Sequence, residues 1–127
     1  MNIKKLITGV ALSMLLSSGA ANADWGDVYY CQMTNFNEIT LKGEEKSWKL
    51  EKFQFKLDQT KNGMVFGSTG YFRNLVIELD KTLNWTSNEV WYAKNDFTSV
   101  YFQEGKLVYT QNNSLGATSA SADCNKF

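Results

Sequence analysis

Two cysteines, Cys31 and Cys124, constrain the fold of this chain more than any other feature. Bridged cysteines hold their Cα atoms about 4.4–6.8 Å apart. A bond between these two would make neighbours of segments near the two ends of the domain, so the first and last strands of a sheet built on this chain would lie side by side. Such a sheet is closed or strongly curled. The bond depends on an oxidising compartment, and the amino terminus bears on that. Met1–Lys5 carries two lysines, Leu6–Leu16 is an uncharged apolar run, and Ala21-Asn22-Ala23 has the small-x-small form that signal peptidase cleaves. These three parts make a secretory signal peptide over 1–23. The run is too short to span a bilayer and no second one follows it, so the product is expected to begin at Asp24, to have no membrane span, and to work in the periplasm or outside the cell after cleavage at Ala23/Asp24. An even cysteine count in an exported chain reads as a disulfide, the alternative being a reactive thiol. Closing so long a loop is worth about 4–5 kcal/mol in loop-closure entropy.

The remaining 24–127 is long enough for one domain with one core. Lys4 and Lys5 leave with the leader, so 11 basic side chains face 13 acidic ones, and nothing steers the domain toward nucleic acid. All the aromatic residues, four Trp, six Tyr and eight Phe, lie after the cleavage point. Rings of that number can build a core in a short chain.

The apolar pattern is that of strands. Ile39 and Leu41 alternate with Glu38, Thr40 and Lys42, and Leu75, Ile77 and Leu79 alternate with Glu78 and Asp80. Period two with one polar face predicts half-buried antiparallel strands. Val90–Ala93, Phe97–Phe102 and Leu107–Gln111 are rich in aromatic and β-branched residues. Turn signals separate these segments: Gly43-Glu44-Glu45, Asn62-Gly63, Gly67-Ser68-Thr69-Gly70, Asn95-Asp96 and Glu104-Gly105. Asn62-Gly63 is the cleanest candidate for a type I′ hairpin. Consecutive hairpins predict an all-β domain, a small antiparallel up-and-down barrel of about eight strands, closed or strongly curled, with one terminal disulfide.

Two segments need more than a pattern. Trp48 and Leu50 are apolar at even positions, and Phe53, Phe55 and Leu57 at odd ones. A β-bulge or sharp bend near Glu51-Lys52 would return them all to one face; a helix over Glu44–Leu57 is the competing reading. Leu115–Cys124 is built of Gly, Ala, Ser and Thr, which by propensity is a loop. Cys124 must nevertheless reach Cys31, beside Tyr29, Tyr30 and Met33, and small residues facing large ones suit a closing strand in a tight barrel.

Catalysis is constrained by what is missing. The chain has no histidine, which removes the usual general base and the commonest zinc ligand. With both cysteines oxidised no thiolate remains. No catalytic residue, metal ligand or cofactor motif is assigned; a carboxylate pair of the glycosidase kind is the residual enzymatic reading. Asn84-Trp85-Thr86 and Asn112-Asn113-Ser114 match the glycosylation sequon. The candidate binding residues are aromatic. Trp85 lies between the polar stretches Lys81–Asn84 and Thr86–Asn88, on a loop or strand tip. Trp91 and Tyr92 are adjacent in a strand and face opposite sides, so at most one joins the core.

Tyr29-Tyr30-Cys31, Cys124-Asn125-Lys126-Phe127 and Trp91-Tyr92-Ala93-Lys94-Asn95 give the chain a layout that resembles the small periplasmic inhibitors of C-type lysozyme. Those are eight-stranded antiparallel barrels with a Tyr-x-Cys near the start, a cysteine near the end and an aromatic-Trp-x-Lys-Gly segment. The resemblance implies the barrel architecture and, as one function, inhibition of an envelope hydrolase. The chain departs from it in having no Ser-Gly-x-x-Tyr inhibitory stretch, Asn95 in place of the glycine, and no lipid-anchoring cysteine after the leader.

The expected function is that of an exported, non-catalytic binding protein for a small ligand or an envelope protein, contacting it through Trp85, Trp91 and Tyr92. The alternatives are a structural or assembly protein of the cell envelope, an inhibitor of an envelope hydrolase and, last, a carboxylate-dependent hydrolase.

Overall fold

The computed structural model describes residues 23–85 and 88–127, and the side chains of 23–80 and 90–127. The expected leader, apart from Ala23, lies outside the described residues. Among these residues there is no helix. The strands are β1 (Val28–Thr40), β2 (Glu45–Ser47), β3 (Lys52–Asp58), β4 (Gly63–Phe66), β5 (Val76–Trp85), β6 (Asn88–Lys94), β7 (Thr98–Gln103), β8 (Lys106–Asn113) and β9 (Gly116–Lys126). They form one antiparallel sheet in which β3 to β9 follow in chain order, and β9 pairs with β1 to close it. The result is the expected eight-stranded barrel, with β2 as an additional short strand.

The closing seam runs the length of both partners, from Tyr29 opposite Lys126 to Thr40 opposite Gly116. Cys31 stands opposite Cys124, and the two are disulfide-bonded with Cα atoms 4.0 Å apart. The segment Leu115–Cys124 is therefore a strand apart from its first residue, and its composition has a packing reason. Ala120 lies between Phe36 of β1 and Tyr109 of β8, and Ala122 between Met33 and Leu107. All six are buried. Small side chains on β9 let the strands carrying large ones close around a filled interior. At the far end of the seam Gly116 (φ 144°) packs where a Cβ would strike the carbonyl oxygen of Ile39.

Aromatic rings fill the barrel. Tyr29 stacks on Phe55 at 5.4 Å and meets Phe102 edge-on at 4.6 Å, and Phe53, Phe66 and Phe72 lie 4.8–5.9 Å from one another. Met33, Leu57, Met64, Ile77, Val100 and Leu107 occupy the space between. Each such side chain contributes about 1.5–3 kcal/mol on burial. Eight strands enclose just enough room for side chains.

The phase change near Glu51 is resolved by a break. β2 and β3 pair with β1 in one continuous register, Asn37 opposite Ser47 and Gln32 opposite Lys52, but residues 48–51 leave the ladder between them. The Trp48 amide donates to Phe36 O (2.8 Å) and the Met33 amide to Glu51 O (2.9 Å), framing the gap. Trp48 and Leu50 consequently do not join the face of Phe53, Phe55 and Leu57; they remain 48% and 45% exposed. The bulge lies on β1 instead. The register against β9 shifts between Met33 and Asn35, so Met33 and Phe36 both point inward. The extra residue, Thr34, hydrogen-bonds Ser121 Oγ at 2.7 Å.

Two further expectations change. Ile39 and Leu41 are exposed, because the end of β1 projects beyond the filled core. Asn62-Gly63 is not a type I′ pair: only Asn62 has positive φ (50°), and Gly63 already belongs to β4, where its missing Cβ admits the Ile77 carbonyl. The Asp58 carboxylate organises that connection by accepting from the Thr60 hydroxyl (2.6 Å) and the amides of Thr60 and Lys61. These bonds, the Thr60 hydroxyl first, hold its carboxyl below the usual range. Glu104 (φ 50°) and Gly105 (φ 77°) form the two-residue turn with both φ positive.

Ala122→Leu is expected to cost about 1–3 kcal/mol in urea denaturation by overpacking the seam. Ser119→Leu, on the exposed face of the same strand, should cost less than about 1 kcal/mol. Equal effects would contradict the assigned faces of β9. Thiol titration of the denatured, unreduced protein should find no free thiol, and replacing both cysteines by Ala should lower stability by about 2–5 kcal/mol.

Candidate functional site

The structure separates the aromatic residues singled out from the sequence. Trp91 points into the barrel, buried, with Trp25 edge-on to it at 5.1 Å. Its indole N–H has no hydrogen-bond acceptor among the described residues. Tyr92 points outward and stacks on Tyr101 of β7 at 4.4 Å, its cross-strand neighbour. Strand alternation thus places the pair on opposite sides of the wall. The backbone of Trp85 pairs with Asn88 at the end of β5; its side chain lies outside the described residues. These three residues supply no single described surface.

A different group of aromatic side chains does converge, at the barrel end that carries the β4–β5 connection. That connection, residues 67–75, is folded on itself by the bonds Asn74 N–H to Gly67 O (2.7 Å) and Leu75 N–H to Phe72 O (2.9 Å), with positive φ at Gly70 and Asn74. Phe72 plugs the core, 4.8 Å from Phe53 and 4.7 Å from Tyr109. Its neighbour Tyr71 is thereby held on the rim. The Tyr71 amide donates to Glu51 Oε1 (2.8 Å), and its ring meets Phe36 edge-on at 4.8 Å. Trp48 lies 6.5 Å from Phe36, with Lys46 Nζ 6.0 Å from its ring centre.

Between these rings and the strands β8 and β9 runs a groove of about 400 Å³. Trp48, Phe36 and Tyr71 give it aromatic surface, and Gln111, Asn113 and Thr118 give it polar groups. Glu38, Glu51 and Lys49 also line it. The Tyr71 hydroxyl donates to Gln111 Oε1 (3.3 Å) and lies 3.5 Å from the hydroxyl of Tyr109. Tyr109 is buried, so a polar thread runs from the core to the rim. Such an arrangement can stack on planar or apolar groups and hydrogen-bond them at the edges.

Sequence reasoning passed over Tyr71 and Trp48. The phase change at Trp48 was the available signal, since an apolar residue out of step with its strand either bends the strand or stays outside. For Tyr71 the signal was its place directly after Gly67-Ser68-Thr69-Gly70. Among the described residues no group of three or more His, Cys, Asp or Glu side chains could hold a metal ion. Comparison of the chain with protein families, with curated proteins and with solved structures finds no match.

Burial, and after it the charge of Asp27, pushes the Tyr29 hydroxyl up to about 12. Burial, and after it the bond to Tyr71, raises Tyr109 above the ordinary tyrosine value. The unfolded chain releases these protons near pH 10 while the folded chain retains them. The contribution of these two tyrosines to stability is therefore full below about pH 10 and is lost as pH rises through 12. Urea midpoints measured across that range should fall, and Tyr29→Phe should flatten the decline. An unchanged slope in the variant would remove Tyr29 as its source.

Proposed function

We propose that this chain is a non-catalytic binding protein acting outside the cytoplasm, and that the rim groove between Trp48 and Tyr71 is its contact surface for an envelope protein. The observation that carries the reading is the contrast between interior and rim. Among the described residues the barrel interior is packed with its own side chains, which argues against the internal ligand that larger or emptier barrels hold. Large apolar side chains are left uncovered at the rim. Leu41 (77% exposed) and Leu115 (74%), joined by a backbone bond from Leu41 N–H to Leu115 O, and Phe97 stand on turns at the same end. A partly open groove bordered by protruding apolar turns suits a folded protein better than a small molecule, which is ordinarily enclosed. The disulfide is consistent with a location outside the cytoplasm, and the leader-like first 23 residues support export.

The closed barrel with a Tyr-x-Cys disulfide is also the layout that the resemblance to lysozyme inhibitors implies, so an envelope hydrolase is one partner class that this surface would serve.

The reading is tested by affinity capture from the native cell envelope, followed by measurement of the purified pair. Trp48→Ala and Tyr71→Ala should each weaken the complex by at least about tenfold, the effect of removing an interfacial aromatic anchor. Tyr92→Ala, on the outer wall, should leave it unchanged. The reverse pattern would move the site to the Tyr92–Tyr101 face. Turnover of an ester, glycoside or peptide panel by the purified protein would overturn the non-catalytic reading.

A further inference from the structure

A second concavity, about 590 Å³, lies on the outer wall over β9, β1 and β3, apart from the rim. Its floor is a grid fixed by strand register. Asn125, Tyr30 and Gln54 stand in one cross-strand row, and Asp123, Gln32 and Lys52 in the next. All six side chains point outward. The rows lie on either side of the disulfide: Cys31 separates Tyr30 from Gln32, and Cys124 separates Asp123 from Asn125. Ser68 and Thr69 overhang the grid from the 67–75 connection. That overhang is close because residue 67 is glycine, where a Cβ would come 2.9 Å from Gln54 Cγ, and because the Gly67 amide donates to Gln54 O (3.0 Å).

We propose that this wall is a binding site for a neutral oligosaccharide. The carboxamides of Gln54 and Asn125, the carbonyl oxygen of Gln32, whose NH2 group donates to Met33 O (3.1 Å) and Glu51 O (3.4 Å), and the hydroxyls of Ser68 and Thr69 converge on it, and a carboxamide presents a donor and an acceptor in one plane. That matches neighbouring sugar hydroxyls, each of which both donates and accepts. Tyr30 supplies the apolar face that sugar C–H groups require. Its ring is held edge-on by Phe127 at 5.3 Å and is 45% exposed.

The charges argue against other ligands. Lys52 and Asp123 sit at opposite ends of one row, and Asp123 is paired with Lys106 at 2.6 Å, so the surface has no cationic cluster to attract an anion. Over this grid β1 is hydrogen-bonded on both sides, and β9 and β3 are too apart from β9 beyond Cys124 and the first residues of β3, so it offers an extended peptide little free strand edge. The disulfide beneath fixes the row spacing before any ligand arrives, which lowers the ordering cost of binding weak polar ligands.

The experiment is a ¹H–¹⁵N titration of the mature protein with trisaccharides of glucose, galactose, mannose and N-acetylglucosamine, each to about 10 mM so that millimolar affinity is visible. At least one should give saturable shifts at the side-chain amides of Gln32, Gln54 and Asn125 and at the backbone of Ser68 and Thr69. Gln54→Ala and Asn125→Ala should each weaken that binding about fivefold or more, as expected for losing a neutral hydrogen bond. Trp48→Ala should not change it, which separates this site from the rim. No saturable shift with any of the four would overturn the proposal. So would shifts that survive both amide substitutions, or shifts that map to Tyr71 and Gln111 instead.

Discussion

The pairing of β1 with β9 is the interaction on which the rest of the structure depends. It joins the two ends of the described domain in one ladder, and it converts an open meander, whose edges would template aggregation, into a closed barrel. The disulfide sits inside that ladder, between directly opposed residues. It therefore reinforces a contact that the backbone already makes. Because the contact has high sequence separation, its loop-closure cost is large, and the bond removes much of that cost from the oxidised chain. The small residues of β9 follow from the same demand. A strand inserted between Phe36 and Met33 on one side and Tyr109 and Leu107 on the other has space for alanine.

Closure over an interior packed with described side chains leaves the outside as the surface available for contacts. An aromatic core of this density leaves the turns and the outer wall as the surfaces free to make contacts, and both grooves adjoin the 67–75 connection. Phe72 anchors that connection in the core, while Tyr71 faces the rim and Ser68 and Thr69 face the wall. A single buried ring thus positions residues for two surfaces, which is the usual division of labour between a rigid scaffold and the loops it carries.

The strands, the meander order and the closing pair were legible in the sequence because each rests on a local pattern or on a covalent constraint. Leu75, Ile77 and Leu79 alternate and Cys31 needs a partner; no tertiary knowledge is required for either. What was not legible depended on competition for interior space. Trp48 and Phe36 are both large aromatic side chains, and the register shift at Thr34 is what turns Phe36 into the core while Trp48 stays half exposed. Asn62-Gly63 reads as a tight turn until Asp58 captures the amides that shape a longer one. Alternation at Trp91 and Tyr92 correctly implied opposite faces, but it could not say which face was inside. Tyr71 was invisible because its exposure is a consequence of where Phe72 goes.

The central claim is that the β1–β9 seam closes the barrel as part of its most stable core. Native-state hydrogen exchange of the oxidised protein tests it directly. The amides paired across this seam should exchange only through global unfolding, with the same opening free energy as the amides joining β7 and β8. Fast exchange along the seam, with β7 and β8 still protected, would show an open sheet held together at one covalent point and would contradict this account.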